Sequence, residues 1–162
     1  MKTDDSLYNL IAVMPSLVPF TASEKRLLTR SLHVRQFAAH EQIYPAAGPA
    51  VAAYYIIEGS VGLFQPNKNR VLDRIAYFKA RQWFGYSTFF PECRRDTSTK
   101  ALEQTRCFVL FRTEYLKIAE KNSTCALKIL TNICYDLDTT LQEIQRDYFS
   151  LTAKLTRANI VI

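Results

Sequence analysis

Ala53-Tyr-Tyr-Ile-Ile-Glu-Gly-Ser-Val-Gly-Leu-Phe64 is the stretch on which the reading of the chain turns. The run Ala53–Ile57 and the run Val61–Phe64 are rich in aromatic and β-branched side chains, which suit a pleated, half-buried surface. Glu58-Gly59 separates them. A tight strand-to-strand turn favours positive φ, and Gly59 adopts it without steric cost. The stretch therefore predicts two strands joined by a turn.

The same texture continues outward on both sides. Val34–Phe37, Gln42–Tyr44, Leu72–Phe78 and Phe108–Phe111 are further strand candidates. Their punctuation is Pro45-Ala-Ala-Gly48-Pro49 and Pro66-Asn-Lys-Asn69, and the loop Gln65–Arg70 reads as a hairpin. Short strands at intervals near ten residues predict a sandwich or a barrel.

Helices flank this β region. Leu7, Leu10, Ile11 and Met14 have helical spacing across residues 5–14, and Pro15 interrupts it. Thr21 with Glu24 forms a capping-box pattern, with Leu27, Leu28 and Leu32 as the apolar face behind it. Thr113 is the expected cap of a short helix through Glu120, and Ser123 or Thr124 that of the next. This last helix carries Leu130, Cys134, Leu137, Leu141, Ile144, Tyr148, Leu151 and Leu155 in alternating steps of four and three. That is an a/d heptad seam longer than the β region can cover, and it predicts a homodimer. Two domains are expected: residues 1–122, and the dimerisation helix 123–162.

Composition excludes several classes. With 162 residues, 48% hydrophobic and 22% charged, the chain can bury a full core, and disorder is excluded. The uncharged stretch Ser6–Ser23 holds two prolines and several polar groups, so no membrane span is expected, and with no secretory signal the expected location is cytoplasmic. Cys93, Cys107, Cys125 and Cys134 include no C-x-x-C pair, so a zinc or redox motif is excluded; Cys107 and Cys134 read as core thiols. The net charge of +6 is spread without a run of four, which suits a solvated basic surface, with nucleic-acid binding through that surface as the alternative. His33 and His40 lie seven apart, no serine or cysteine has a base beside it, and no metal-ligand cluster stands out. The chain is expected not to be an enzyme and to need no cofactor.

Tyr54, Tyr55, Ile56, Gly59 and Val61 resemble the Tyr-Tyr-Ile-x-x-Gly-x-Val centre of the cyclic-nucleotide-binding domains, as found in the sensor half of catabolite activator-type transcription regulators. His40–Gly48 resembles the preceding strand and glycine turn. Trp83-Phe84-Gly85 resembles the start of the phosphate-binding cassette, and Ala101-Leu-Glu-Gln-Thr105 the strand after it. The resemblance runs from Leu17 to Leu155 and implies an α+β fold: a mainly antiparallel β-roll, or jelly roll, with short N-terminal helices and a long, parallel-paired C-terminal dimerisation helix.

It also implies a ligand site. The family holds the phosphate of a cyclic nucleotide with an arginine and backbone N–H groups, the ribose 2′-hydroxyl with a glutamate after the cassette glycine, and the base from the dimer helix. Set on this chain, the glycine is Gly85 and the arginine is Arg94 or Arg95, with Arg95 the better fit counting back from Ala101. The glutamate position is Tyr86, an earlier glycine position is Arg81, Asp96 follows the arginine, and Thr140 lies near the base. A missing buried acceptor costs about 1–3 kcal/mol. The expectation is a degenerate pocket filled by the chain's own Trp83, Tyr86, Phe89 and Phe90, with a cyclic nucleotide or another small ligand as alternatives. The residues after Leu155 cannot build a helix-turn-helix, so the expected partners are a second copy and a protein partner, not DNA read in that way.

Overall fold

The computed structural model describes residues 2–12 and 18–157. Met14 of the first sequence-predicted helix, Pro15 that was expected to interrupt it, and everything after Arg157 lie outside the described residues. Helices α1 (Lys2–Ala12) and α2 (Ala22–Ser31) lead into strands β1 (His33–Phe37), β2 (Gln42–Tyr44), β3 (Ala52–Glu58), β4 (Ser60–Pro66), β5 (Leu72–Lys79) and β6 (Trp83–Phe84). A 3-10 turn (Tyr86–Phe89), β7 (Ser98–Ala101), β8 (Thr105–Phe111), α3 (Arg112–Lys121) and α4 (Ser123–Arg157) complete the chain. No helix among the described residues is long and apolar enough to cross a membrane.

Two four-stranded antiparallel sheets form the α+β roll, in the orders β1-β8-β3-β6 and β2-β7-β4-β5. Strand β3 explains the deciding stretch. Ala52, Tyr54 and Ile56 enter the core between the sheets, with Phe37, Val61, Phe78 and Phe84. Ala53 and Tyr55 point the other way, into a second core where Trp83, Phe108 and Leu110 meet Leu28, Ile118, Ile129 and Ile133 of the helices. Both faces of β3 are buried, so its sequence is continuously apolar instead of alternating. Each fully buried phenylalanine adds about 1.5–3 kcal/mol of transfer free energy.

Gly59 turns at φ +91° between β3 and β4, and Thr105 packs against it. The Thr21–Glu24 capping box is present: Glu24 N–H donates to Thr21 Oγ1 at 3.3 Å, and Thr21 N–H donates to Glu24 Oε2. Glu24 also pairs with Lys128 at 2.8 Å, tying α2 to α4.

Several local expectations are corrected. Helix α3 starts at Arg112, after Phe111, with no side-chain cap, and Thr113 lies inside its first turn. Asn122, not Ser123 or Thr124, caps α4, its side-chain oxygen accepting from Cys125 N–H at 2.9 Å. Strand β8 begins at Thr105, three residues before the apolar run that announced it, because the Thr105 hydroxyl bonds inside the Gly59 turn. Strands β6 and β7 were not foreseen: one is two residues long, and the other reads Ser-Thr-Lys-Ala. The strand expected to begin at Ala101 in fact ends there. Cys134 is exposed, and Cys125 with Cys107 occupies the core. In the loop before β3, positive φ falls on Ala47 (58°) and not on Gly48.

Candidate functional site

The cassette-like segment hangs from β6 and returns at Arg95. Gly85 has φ +78° and starts the 3-10 turn. A Cβ there would lie 3.1 Å from Arg95 Nη1 and 3.2 Å from both the Ala52 carbonyl and the Tyr54 ring, so backbone and space both favour glycine. Arg81, at the place of the family's earlier glycine, keeps a left-handed φ of 73°.

The two arginine candidates separate cleanly. Arg94 is exposed and donates to the Ala47 carbonyl at 2.9 Å, stapling the β2–β3 loop. Arg95 is only 4% exposed. Its Nη1 donates to Gly85 O and Ser87 Oγ, both at 2.9 Å, and its Nη2 donates to Ala52 O. The Tyr44 ring covers the guanidinium at 4.2 Å. Asp96, the next residue, is exposed and makes no ion pair with it.

The aromatic cluster beside Gly85 is not the one expected from sequence. Tyr54 and Phe84 stack at 4.9 Å and 13°, with Tyr44 6.0 Å from Tyr54 and Phe78 6.0 Å from Phe84. Trp83, Tyr86 and Phe89 pack instead against the helical core, Phe89 edge-on to Tyr115, and Phe90 is exposed. The reason is alternation: along β6 only Phe84 can face inward, and Trp83 must face the helices.

Tyr86 and α4 share one carboxylate. Asp136 Oδ2 accepts from Trp83 N–H at 2.8 Å and from the Tyr86 hydroxyl at 3.1 Å, and that hydroxyl also reaches the Trp83 carbonyl. Burial pushes the Tyr86 phenol far above its usual range, reinforced by the Asp136 charge. Burial likewise raises the Asp136 carboxyl, against the hydrogen bonds that it accepts. Sequence reading missed Asp136, whose only signal is an acid in line with the buried Ala126, Ile129 and Ile133 on α4. Thr140 does not reach the cassette; its hydroxyl donates back to Asp136 O at 2.9 Å on its own helix. Of the sequence-derived site residues, the fold brings Gly85 and Arg95 together, turns Tyr86 away to Asp136, and leaves Arg94 and Thr140 apart.

Beyond Asp136, α4 leaves the roll. Cys134, Leu137, Leu141, Ile144, Tyr148 and Leu151 are exposed, Leu130 and Leu155 half-buried, and Leu127, 64% exposed, continues the same alternation one step earlier.

A roll of two antiparallel sheets, a cassette-like segment between β6 and β7, and a long helix after the roll define the fold class, an antiparallel β-roll with an appended helix. Residues 34–122 match the model of the cyclic nucleotide-binding domain, and the chain belongs to that family. No curated protein matches it. Among solved structures, it is similar to a cyclic nucleotide-binding domain from Methylobacillus flagellatus, at 18% identity and TM-score 0.74, covering 88% of this chain and 80% of that one. The sensor domain of the transcriptional regulator DNR from Pseudomonas aeruginosa shares 18% identity at TM-score 0.67 over 88% and 96% of the two chains. A regulatory subunit of a cAMP-independent protein kinase A from Trypanosoma cruzi, bound to guanosine, shares 17% identity at TM-score 0.67 over 90% of this chain and 51% of that one.

Proposed function

We propose that the chain is a non-enzymatic, dimeric regulatory or adaptor module of the cyclic nucleotide-binding fold that does not take a cyclic nucleotide in the family's manner. The observation that carries this reading is the state of Arg95. Both terminal nitrogens of its guanidinium are spent on Gly85, Ser87 and Ala52, and the Tyr44 ring covers its face. A ligand phosphate would have to break these bonds and displace the Tyr44–Tyr54–Phe84 stack. At the ribose position, Tyr86 turns away to Asp136 and offers no carboxylate.

The exposed seam on α4 supports pairing of two copies through residues 123–162, with residues 1–122 as the sensor or scaffold part. Asp136 gives that pairing a mechanical link to the cassette, through which a two-state shift of one would bias the other. The trypanosome relative, described as cAMP-independent and bound to guanosine, supports a roll of this kind working without cyclic AMP.

Calorimetric titration with cyclic AMP and cyclic GMP up to millimolar concentration tests the reading. Absence of heat, with an unchanged melting temperature, is the expected result. Micromolar binding that disappears in Arg95→Ala would make the chain a nucleotide sensor and overturn it.

A further inference from the structure

We propose that the cleft at the open end of the roll, between β1, β2, β3 and β8, binds a small organic anion: one carboxylate or phosphate carried on a flat apolar body. The cleft has a volume of about 460 Å³, and no residue of α4 or of the 3-10 turn lines it. That volume suits a single small molecule and excludes a macromolecule. The site lies outside the contacts that the family resemblance implies, except that Arg95 borders it from behind.

Charge decides the sign of the ligand. Arg35, Arg95 and His33 line the cleft, and no acidic residue does. Arg95 has no carboxylate within 4.0 Å among the described residues, and its buried Nε has no hydrogen-bond partner. A buried charge with no counter-ion leaves an uncompensated positive field, and that field is screened least on the low-dielectric side of the cleft. Arg35 supplies the direct donors. It shares the inward face of β1 with buried Phe37, yet its side chain is 57% exposed. Its only ion pair among the described residues is a long one, 3.8 Å to Glu41, whose other oxygen is held by Ala38 N–H at 2.8 Å. Such an exposed pair is weak and readily exchanged.

Shape decides the rest of the molecule. Tyr44, Tyr54 and Phe111 wall the cleft with aromatic surface, and the Arg95 guanidinium lies 4.2 Å from the centre of the Tyr44 ring, which places the cationic end beside a ring face. Inorganic phosphate would satisfy the charge and leave the aromatic wall wet. A planar acid covers both.

Fluorine NMR with 4-fluorobenzoate, neutral 4-fluorobenzamide and inorganic phosphate as competitor reads this directly. The acid is expected to broaden on adding protein and the amide to bind at least about tenfold more weakly. Arg35→Gln, at an exposed position, is expected to keep the parent's melting temperature within a few degrees and to weaken the acid by about tenfold or more, and phosphate to compete only weakly. Equal binding of acid and amide, an unchanged affinity in Arg35→Gln, or no broadening at millimolar acid would each overturn the proposal.

Discussion

Tyr86 and Asp136, fifty residues apart, meet at 3.1 Å, and the same carboxylate oxygen holds Trp83 N–H at 2.8 Å. One acid on the long helix thus fastens the cassette at two points. Tyr86→Phe removes the hydroxyl, with its contacts to Asp136 and to the Trp83 carbonyl, and keeps the ring in its apolar seat; a loss of about 0.5–1.5 kcal/mol is expected in urea unfolding. Asp136→Ala strands Trp83 N–H as well, and the loss should exceed that of Tyr86→Phe. Equal losses would mean that the carboxylate does not join the two bonds.

The same carboxylate sets a pH dependence. Burial, opposed by the bonds from Trp83 and Tyr86, raises the Asp136 pKa above its ordinary 3.8. An acid raised on folding holds more protons folded than unfolded. Its stabilising share is therefore complete below 3.8 and is lost as the pH climbs through the raised folded value. Asp136→Asn should remove that slope from a plot of urea midpoint against pH.

Glu24 acts in the opposite sense. Burial alone would raise its pKa, but the Lys128 ammonium and the Thr21 hydrogen bonds outweigh burial and hold it below 4.5. Its stabilising share is present above 4.5 and is lost as the pH falls through the lowered folded value. Glu24→Gln should be less acid-sensitive than the parent chain when melting temperatures are compared across that range.

Two backbone positions should respond with opposite signs. A Cβ on Gly59 would sit 2.5 Å from Thr105 Oγ1 and 2.6 Å from Gln104 O at a φ of +91°, so Gly59→Ala should cost about 2 kcal/mol or more. Arg81 already carries a side chain at φ 73°, and Arg81→Gly should be neutral to stabilising by about 1 kcal/mol. Calorimetric melting of the two variants checks both, and destabilisation by Arg81→Gly would show that its side chain outweighs its strain.

The proposed pairing through α4 makes Leu141, 53% exposed in the single chain, a contact between copies. Leu141→Glu should halve the mass seen in sedimentation without lowering the helix content of the roll. An unchanged mass would place the interface elsewhere.

What the sequence determined by itself is the fold. The run from Tyr54 to Val61, the Gly59 turn, the Thr21–Glu24 box and the heptad steps on α4 are local signals. Each rests on neighbours a few residues away, where periodicity and backbone freedom are legible in one dimension. The tertiary structure alone decided the site. Which tyrosine of the Tyr54-Tyr55 pair joins the aromatic cluster beside Gly85 depends on register across three strands, and a one-residue slip would exchange them. Counting back from Ala101 already favoured Arg95 over Arg94, but that it binds Gly85, ten residues back, and Ala52, forty-three back, follows from how the cassette folds onto β3. Asp136 carried almost no signal because its partners lie on another element. A polar residue is read as solvent-facing until the fold brings it donors, and here those donors are a backbone amide and a phenol about fifty residues upstream.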